Sequence, residues 1–312
     1  MLNTADRVIF LDYLKVIAIV MVVLFHCGVG GLVPRTLYSI CCPLFFAVNG
    51  YLMFSRERPI EVMVSKSLKI FLLICFWAIF GTSQIMLLKG ERDAVAFIRN
   101  LYWMRIGYCN HLWFLAALFT LNIFYVLLFR IMQMPIKWTY LFLGFLALCT
   151  LDVPKYLTWV FNPFEGWLYR FSLFYFVMGG FFCRVDARRI PYFLLLLIFV
   201  AALAIKTYLN RDLTYDITFA GYSSVFTALM VICLMILLSK VNPKRNVFIE
   251  YLSSITLAIY LIHAPFFLSL RLIAPNFMQC SNIIFAMFVF ASSVLITFVL
   301  KRYKYTRFLI TL

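Results

Sequence analysis

Ten stretches of this 312-residue chain are apolar over close to the twenty or so residues that a helix needs to cross a bilayer. They fall near residues 8–30, 33–54, 66–88, 112–132, 136–152, 167–184, 190–207, 215–239, 248–271 and 281–300. They predict an all-α, polytopic membrane protein of about ten transmembrane helices. The gaps leave no room for a soluble domain, so residues 1–312 read as a single transmembrane domain. Composition agrees: 65% of residues are hydrophobic and 13% charged, roughly half the charged fraction of an ordinary soluble domain. The 35 phenylalanines and 18 tyrosines suit lipid-facing surface and interfacial belts.

A formal net charge of +16 raises nucleic acid as a partner, but the basic residues come in small clusters between apolar runs, which is the spacing of a topology signal. With the N-terminus inside, the inner segments hold 17 of the 28 Lys and Arg, the outer side holds 10, and Lys15 lies within the first span. The outer loops carry Glu91, Asp93, Asp152, Glu165, Asp212 and Asp216. The positive-inside rule then places both termini in the cytoplasm, and an even number of spans agrees with it. No small-residue cleavage site precedes Pro34, so the apolar N-terminus reads as a retained first span. None of the nine cysteines has the paired spacing of a zinc or redox motif, while Cys109 and Cys280 fall in outer loops where they can pair.

Ionisable residues inside spans each cost about 2.5–3.5 kcal/mol to insert, so their presence asks for a reason. The first span, RVIFLDYLKVIAIVMVVLFHC from Arg7 to Cys27, holds Asp12, Lys15 and His26. At about 100° and 1.5 Å per residue, Lys15 and His26 return to one face, about 20° out of register and roughly 16 Å apart. Asp12, three residues before Lys15, can touch it and cannot reach His26. Either Asp12 and Lys15 snorkel as an ion pair at the inner headgroups, or the lysine and the imidazole border a polar channel through the protein.

Further polar positions carry the same ambiguity. In PLFFAVNGY, Pro43 to Tyr51, the Asn49-Gly50 step is either a notch for helix packing or an amide offered in hydrocarbon. Lys66 and Lys69 share one helix face at the inner end of the third span, as headgroup anchors or as a clamp for an anionic cytoplasmic ligand. CNHLWFL, Cys109 to Leu115, puts His111 and Trp113 at the outer entry of the fourth span, Trp113 being either an aromatic-belt residue or a stacking platform. Glu165, with Asn162, Pro163 and Trp167, lies in an outer loop able to meet a sugar. In YLIHAPFF, from Tyr260, His263 is roughly 22 Å from the inner end of its span, a depth close to that of His26. All three histidines thus fall in one layer of the outer half.

No glycine-rich phosphate loop, Ser-His-Asp ordering or metal-binding run appears. What remains is a basic inner patch, a polar stripe along the first helix and histidines near the opposite face. That arrangement suits a donor bound from inside whose reactive end reaches a base near the outside.

LDYLKVIAIVMVVLFH, with a basic residue, ten intervening positions and a histidine, resembles the opening of the acyltransferase family 3 membrane proteins. PLFFAVNGY is similar to that family's phenylalanine-rich second span, Lys66 and Lys69 to its paired basic residues, HLWFL to its entry into a later span, and YLIHAPF to its histidine near the C-terminal end. The resemblance implies transfer of an acyl group, usually acetyl from acetyl-CoA, to a hydroxyl of a surface carbohydrate such as lipopolysaccharide O-antigen, in the bacterial inner membrane. It implies an acyl-CoA donor that comes and goes, no permanently bound cofactor, and a glycan or lipid-linked sugar as acceptor. The family's essential basic residue and histidine fall on Lys15 and His26; lysine stands here where arginine is usual at positions 15, 66 and 69, and Asn49 where serine is usual.

On that basis Lys66 and Lys69 are expected to hold the CoA phosphates and Lys15, with Asp12 beside it, to guide the pantetheine arm. His26 is the expected base, an acyl-histidine intermediate being the less favoured variant, with Asn49 and His263 as candidates for the oxyanion. A transporter or flippase for an anionic or glycan-lipid substrate is the rival reading; it is expected to show broken helices or related halves, and no segment repeats another. A purely structural scaffold has no need of Asp12, Lys15 and His26 in a span.

Overall fold

The computed structural model describes residues 8–89, 95, 111–151, 170–184, 189–211, 221–274 and 281–311; Glu165, Cys109 and Cys280 lie outside them. Backbone groups within hydrocarbon must be satisfied inside the chain, and the described residues do this with helices throughout. In order these are α1 (Ile9–His26), α2 (Leu32–Tyr38), α3 (Cys41–Phe54), α4 (Ile60–Lys89), α5 (Trp113–Ile123), α6 (Tyr125–Gln133), α7 (Ile136–Thr150) and α8 (Arg170–Phe182). There follow α9 (Tyr192–Asn210), α10 (Val225–Val241), α11 (Val247–Ser254), α12 (Thr256–Ile273), α13 (Asn282–Arg302), the single turn α14 (Lys304–Arg307) and a 3₁₀ turn (Phe308–Ile310).

Each of the ten apolar stretches carries helix. Among the described residues six helical segments are long and apolar enough to cross a membrane, seven if the bent pair α5–α6 counts as one span, and α7, α8 and α10 include shorter apolar helices. Two of the expected spans are not continuous. The chain bends by 62° between α5 and α6, and the segment read as one span over 248–271 breaks at Ile255 into α11 and α12. Broken helices, one of the two features expected of the transporter reading, are therefore present.

The first span also ends sooner than residue 30. Gly28 and Gly30 take positive φ values of 69° and 114°, which unwinds the chain after His26, and Asn282 Nδ2 donates to the Gly28 carbonyl at 2.9 Å. His26 thereby sits at a helix end rather than within a continuing span.

α1 lies at the centre, packed against α2, α3, α10, α11, α12 and α13. Leu11, Leu14, Ala18 and Val22, spaced three or four apart, are buried along it. The outer helices show the inverse pattern, with Phe76 and Phe80 on α4, Phe193 and Leu197 on α9, and Met287 and Leu295 on α13 exposed, as lipid-facing positions must be.

α3 and α8 approach backbone to backbone. A Cβ added at Gly50 would lie 1.8 Å from the carbonyl oxygen of Phe176, and one at Gly179 would lie 1.8 Å from that of Ala47. Of the two readings of the Asn49-Gly50 step, the packing notch is what Gly50 forms; dispersion over such small-residue contacts holds helices together where lipid offers no hydrophobic drive.

A second fixed point is Lys206. Its position in the sequence counts it with the outer-side charges, yet it is 3% exposed. Its Nζ donates to Ser39 Oγ at 2.8 Å, to the Gly221 carbonyl at 2.5 Å and to Thr227 Oγ1, tying α9 to the α2–α3 junction and to the start of α10.

Gly50→Ala and Gly179→Ala are each expected to destabilise the fold by about 1–3 kcal/mol or more, the usual range for overpacking. Gly144→Ala, where a Cβ meets nothing within 4 Å, should melt like the wild type. Thermal melting of the detergent-solubilised protein checks this; a Gly50→Ala protein with an unchanged midpoint would refute the backbone contact.

Candidate active site

Lys15, half-buried on α1, faces a cavity of about 810 Å³, a size within the roughly 300–1,000 Å³ of sites for drug-sized ligands. Asn49 of α3 and Lys69 of α4 line it with Lys15. The break at Ile255 places Ser253, Ser254 and Thr256 along its wall, so three hydroxyls line a surface that a straight apolar helix would not provide. Tyr260, one turn further along α12, and Phe114 of α5 also line it, their rings 5.4 Å apart.

Tyr260 also belongs to a second group. Its ring centroid lies 5.5 Å from that of His111 and 6.0 Å from that of His263. His263 in turn lies 5.0 Å from His26 and 5.9 Å from His111. The three histidines are brought together from α1, from the entry to α5 and from the middle of α12, next to the cavity that Lys15 lines. The face of α1 that runs from Lys15 to His26 is thus turned to α11 and α12 rather than to lipid. His111 and His263 are buried, while His26 is exposed at the end of α1.

His263 has a defined proton arrangement. Its Nδ1 lies 3.1 Å from the Ile259 carbonyl, which can only accept, so in the neutral ring Nδ1 carries the hydrogen and Nε2 holds a lone pair. That Nε2 is buried with no hydrogen-bond partner among the described residues. A buried acceptor of this kind is open to a hydrogen-bond donor carried in by a ligand.

The remaining sequence-derived positions divide clearly. Asp12 is buried and accepts from Ser253 Oγ at 2.5 Å, so it holds a cavity-lining residue in place. Lys66 points its Nζ at Met53 Sδ, 3.7 Å away, and is not among the residues that line the cavity with Lys69. Asn49 lines the cavity but spends one of its amide hydrogens on the Phe45 carbonyl at 2.8 Å, the helical back-bond. Trp113 is neither belt nor platform at the surface. It is buried in an aromatic group with Phe46, Phe171 and Tyr222, at centroid distances of 6.0, 5.7 and 6.1 Å.

Residue-by-residue reading missed Tyr260, although it opens the same YLIHAPFF stretch as His263. Lys304 and Arg307, two of the 17 inner basic residues whose spacing signals topology, also line the cavity. The spacing of three between them was visible; that the chain folds back to present them was not.

A family model described as an acyltransferase domain matches residues 8–302. No curated protein matches the chain, and no solved structure does. The match spans almost all of a chain built from apolar, membrane-length helices, and it includes Lys15, Lys69 and all three histidines: the chain belongs to acyltransferase family 3 and is a multi-pass membrane acyltransferase.

Proposed function

We infer that this chain is an O-acyltransferase that moves an acetyl or similar acyl group from acyl-CoA to a hydroxyl of a surface carbohydrate, such as O-antigen or a lipid-linked sugar, in the bacterial inner membrane. The observation that carries this reading is the contiguity of a lysine-lined cavity with a cluster of all three histidines, Tyr260 touching both. With the bent pair as one span and the three shorter apolar helices crossing as well, the topology is ten spans with both termini cytoplasmic. The cavity then opens to the cytosol and the histidines lie toward the outer face.

In this mechanism Lys69 and Lys15 receive the donor's anionic portion and the pantetheine arm, with Lys66 nearby. The thioester reaches past Tyr260 to the imidazoles. His26, exposed on its other side, meets the acceptor. Its neutral ring takes the hydroxyl proton as the oxygen attacks the thioester carbonyl carbon, the carbon–sulfur bond breaks, and the imidazolium returns the proton to the departing thiolate. Asn49 is the group placed to assist the developing oxyanion; His263, expected to share that role, packs against His26 but spends its Nδ1–H on the Ile259 carbonyl and holds a lone pair at Nε2, so its neutral ring has no hydrogen to donate. Glu165 and His111 are assigned to the acceptor side, and Trp113 acts by packing beneath it.

The rival reading is transport of the same glycan-lipid substrate, and the break at Ile255 is what favours it, since discontinuous helices line transporter sites. The two differ in product.

General-base assistance contributes about 10²–10⁴ in rate, so His26→Ala is expected to abolish detectable transfer from labelled acetyl-CoA to glycan in isolated membranes while the protein still accumulates. Wild-type activity in that variant would remove His26 from the chemistry. Mass spectrometry of surface glycan from cells with and without the chain is expected to show a gain of one acyl mass. Movement of glycan with no mass change would establish the transporter instead.

A further inference from the structure

The last residues of the chain do something the preceding spans do not. After α13 ends at Arg302, Tyr303 is extended (φ −99°, ψ 132°) and turns the chain back, with Thr306 Oγ1 donating to the Leu300 carbonyl at 2.5 Å. The returning segment is pinned across the bundle. Trp77 Nε1 of α4 donates to the Leu309 carbonyl at 2.9 Å, Ile310 is 2% exposed, and Lys69 Nζ lies 5.7 Å from the centre of the Phe308 ring. The 3₁₀ turn contacts α4, α12 and α13.

So held, the segment presents chemistry to the cavity. Lys304 and Arg307, three residues apart and therefore on one face of α14, line it together with Phe308, Ile310 and Thr311. With Lys15 and Lys69 they make four cations, with no carboxylate, among the described lining residues. Lys304, Arg307 and Lys69 gather positive charge in one lining, which repels itself, and an anionic occupant relieves that repulsion. Of the four, only Arg307 has the planar fork that pairs with two phosphate oxygens at once; the lysines act as point charges. The family match ends at residue 302, so both added cations belong to residues beyond the matched segment.

Resting on the acyl-CoA reading above, we propose that the C-terminal segment 303–311 forms part of the donor site, with Lys304 and Arg307 holding the donor's phosphates at the mouth of the cavity. A phosphate monoester carries about −1.5 to −2 charges near neutral pH, and the 3′-phosphate and diphosphate of CoA supply anions enough to engage both residues and Lys69. The hydrophobic anchors Leu309 and Ile310 hold the segment in place; the two charges select the ligand.

The test is CoA binding to the full-length protein in nanodiscs, measured by titration calorimetry for the wild type, Lys304→Gln, Arg307→Gln and the double variant, all of which keep Phe308–Ile310. Arg302→Gln, which removes one charge from the same end but is not among the lining residues, controls for net charge. Each single variant is expected to raise Kd about two- to fivefold, the range for a partly exposed ion pair, the double variant roughly tenfold, and Arg302→Gln to bind as the wild type does. The wild-type affinity should fall with added salt more steeply than that of the double variant. Wild-type binding that the double variant reproduces overturns the role of the segment and leaves the donor reading standing. An Arg302→Gln loss equal to that of Arg307→Gln also overturns it. No CoA binding by the wild type overturns both.

Discussion

A polar side chain carried into hydrocarbon must be met by another polar group or by a cavity, and the interior of this protein is arranged around that requirement. Asp12 is answered by the Ser253 hydroxyl, Lys206 by two hydroxyls and a carbonyl, and the Nδ1 of His263 by its own helix at Ile259. Lys15 lines the cavity. Because Asp12, Lys15 and His26 share α1, the helices that meet them must gather round it, which is why α1 is central while α4, α9 and α13 show apolar faces outward.

The frame that makes those meetings reproducible is steric. The paired glycine contacts between α3 and α8 fix α3 at a distance no side chain would allow, and Asn49, next to Gly50, is thereby turned to the cavity. The break at Ile255 does the complementary work on the other wall. A continuous helix would carry apolar side chains past Lys15, whereas the interrupted one offers Ser253, Ser254 and Thr256. Tyr260 then joins the two regions, lining the cationic cavity and packing against His111 and His263.

Much of this was legible in the sequence because it rests on period and composition. Lys15 and His26 fall on one face by helix geometry alone, and the three histidines were predicted in one layer, which is where they gather. The Asn49-Gly50 step was ambiguous because a small residue beside an amide satisfies two descriptions; the neighbouring backbone of α8 decides for packing at Gly50, and the cavity receives Asn49. Lys66 and Lys69 looked alike because a spacing of three cannot tell which of two residues faces a neighbour. Trp113 looked like a belt residue because a tryptophan near a span's end usually is one, and only the aromatic group around it shows that it is core. Lys206, at the end of an apolar run, gave no sign that hydroxyls from two distant segments would enclose it.

By itself the sequence determined that the chain is helical and built for a membrane, which family it resembles, and which face of the first helix is polar, since each follows from local pattern. The tertiary structure alone decided where spans break, that Tyr260 joins cavity to histidines, and that residues 303–311 return to line the cavity. Those features depend on contacts between residues far apart in the chain, such as Trp77 with Leu309, 232 positions on, and no local period encodes them.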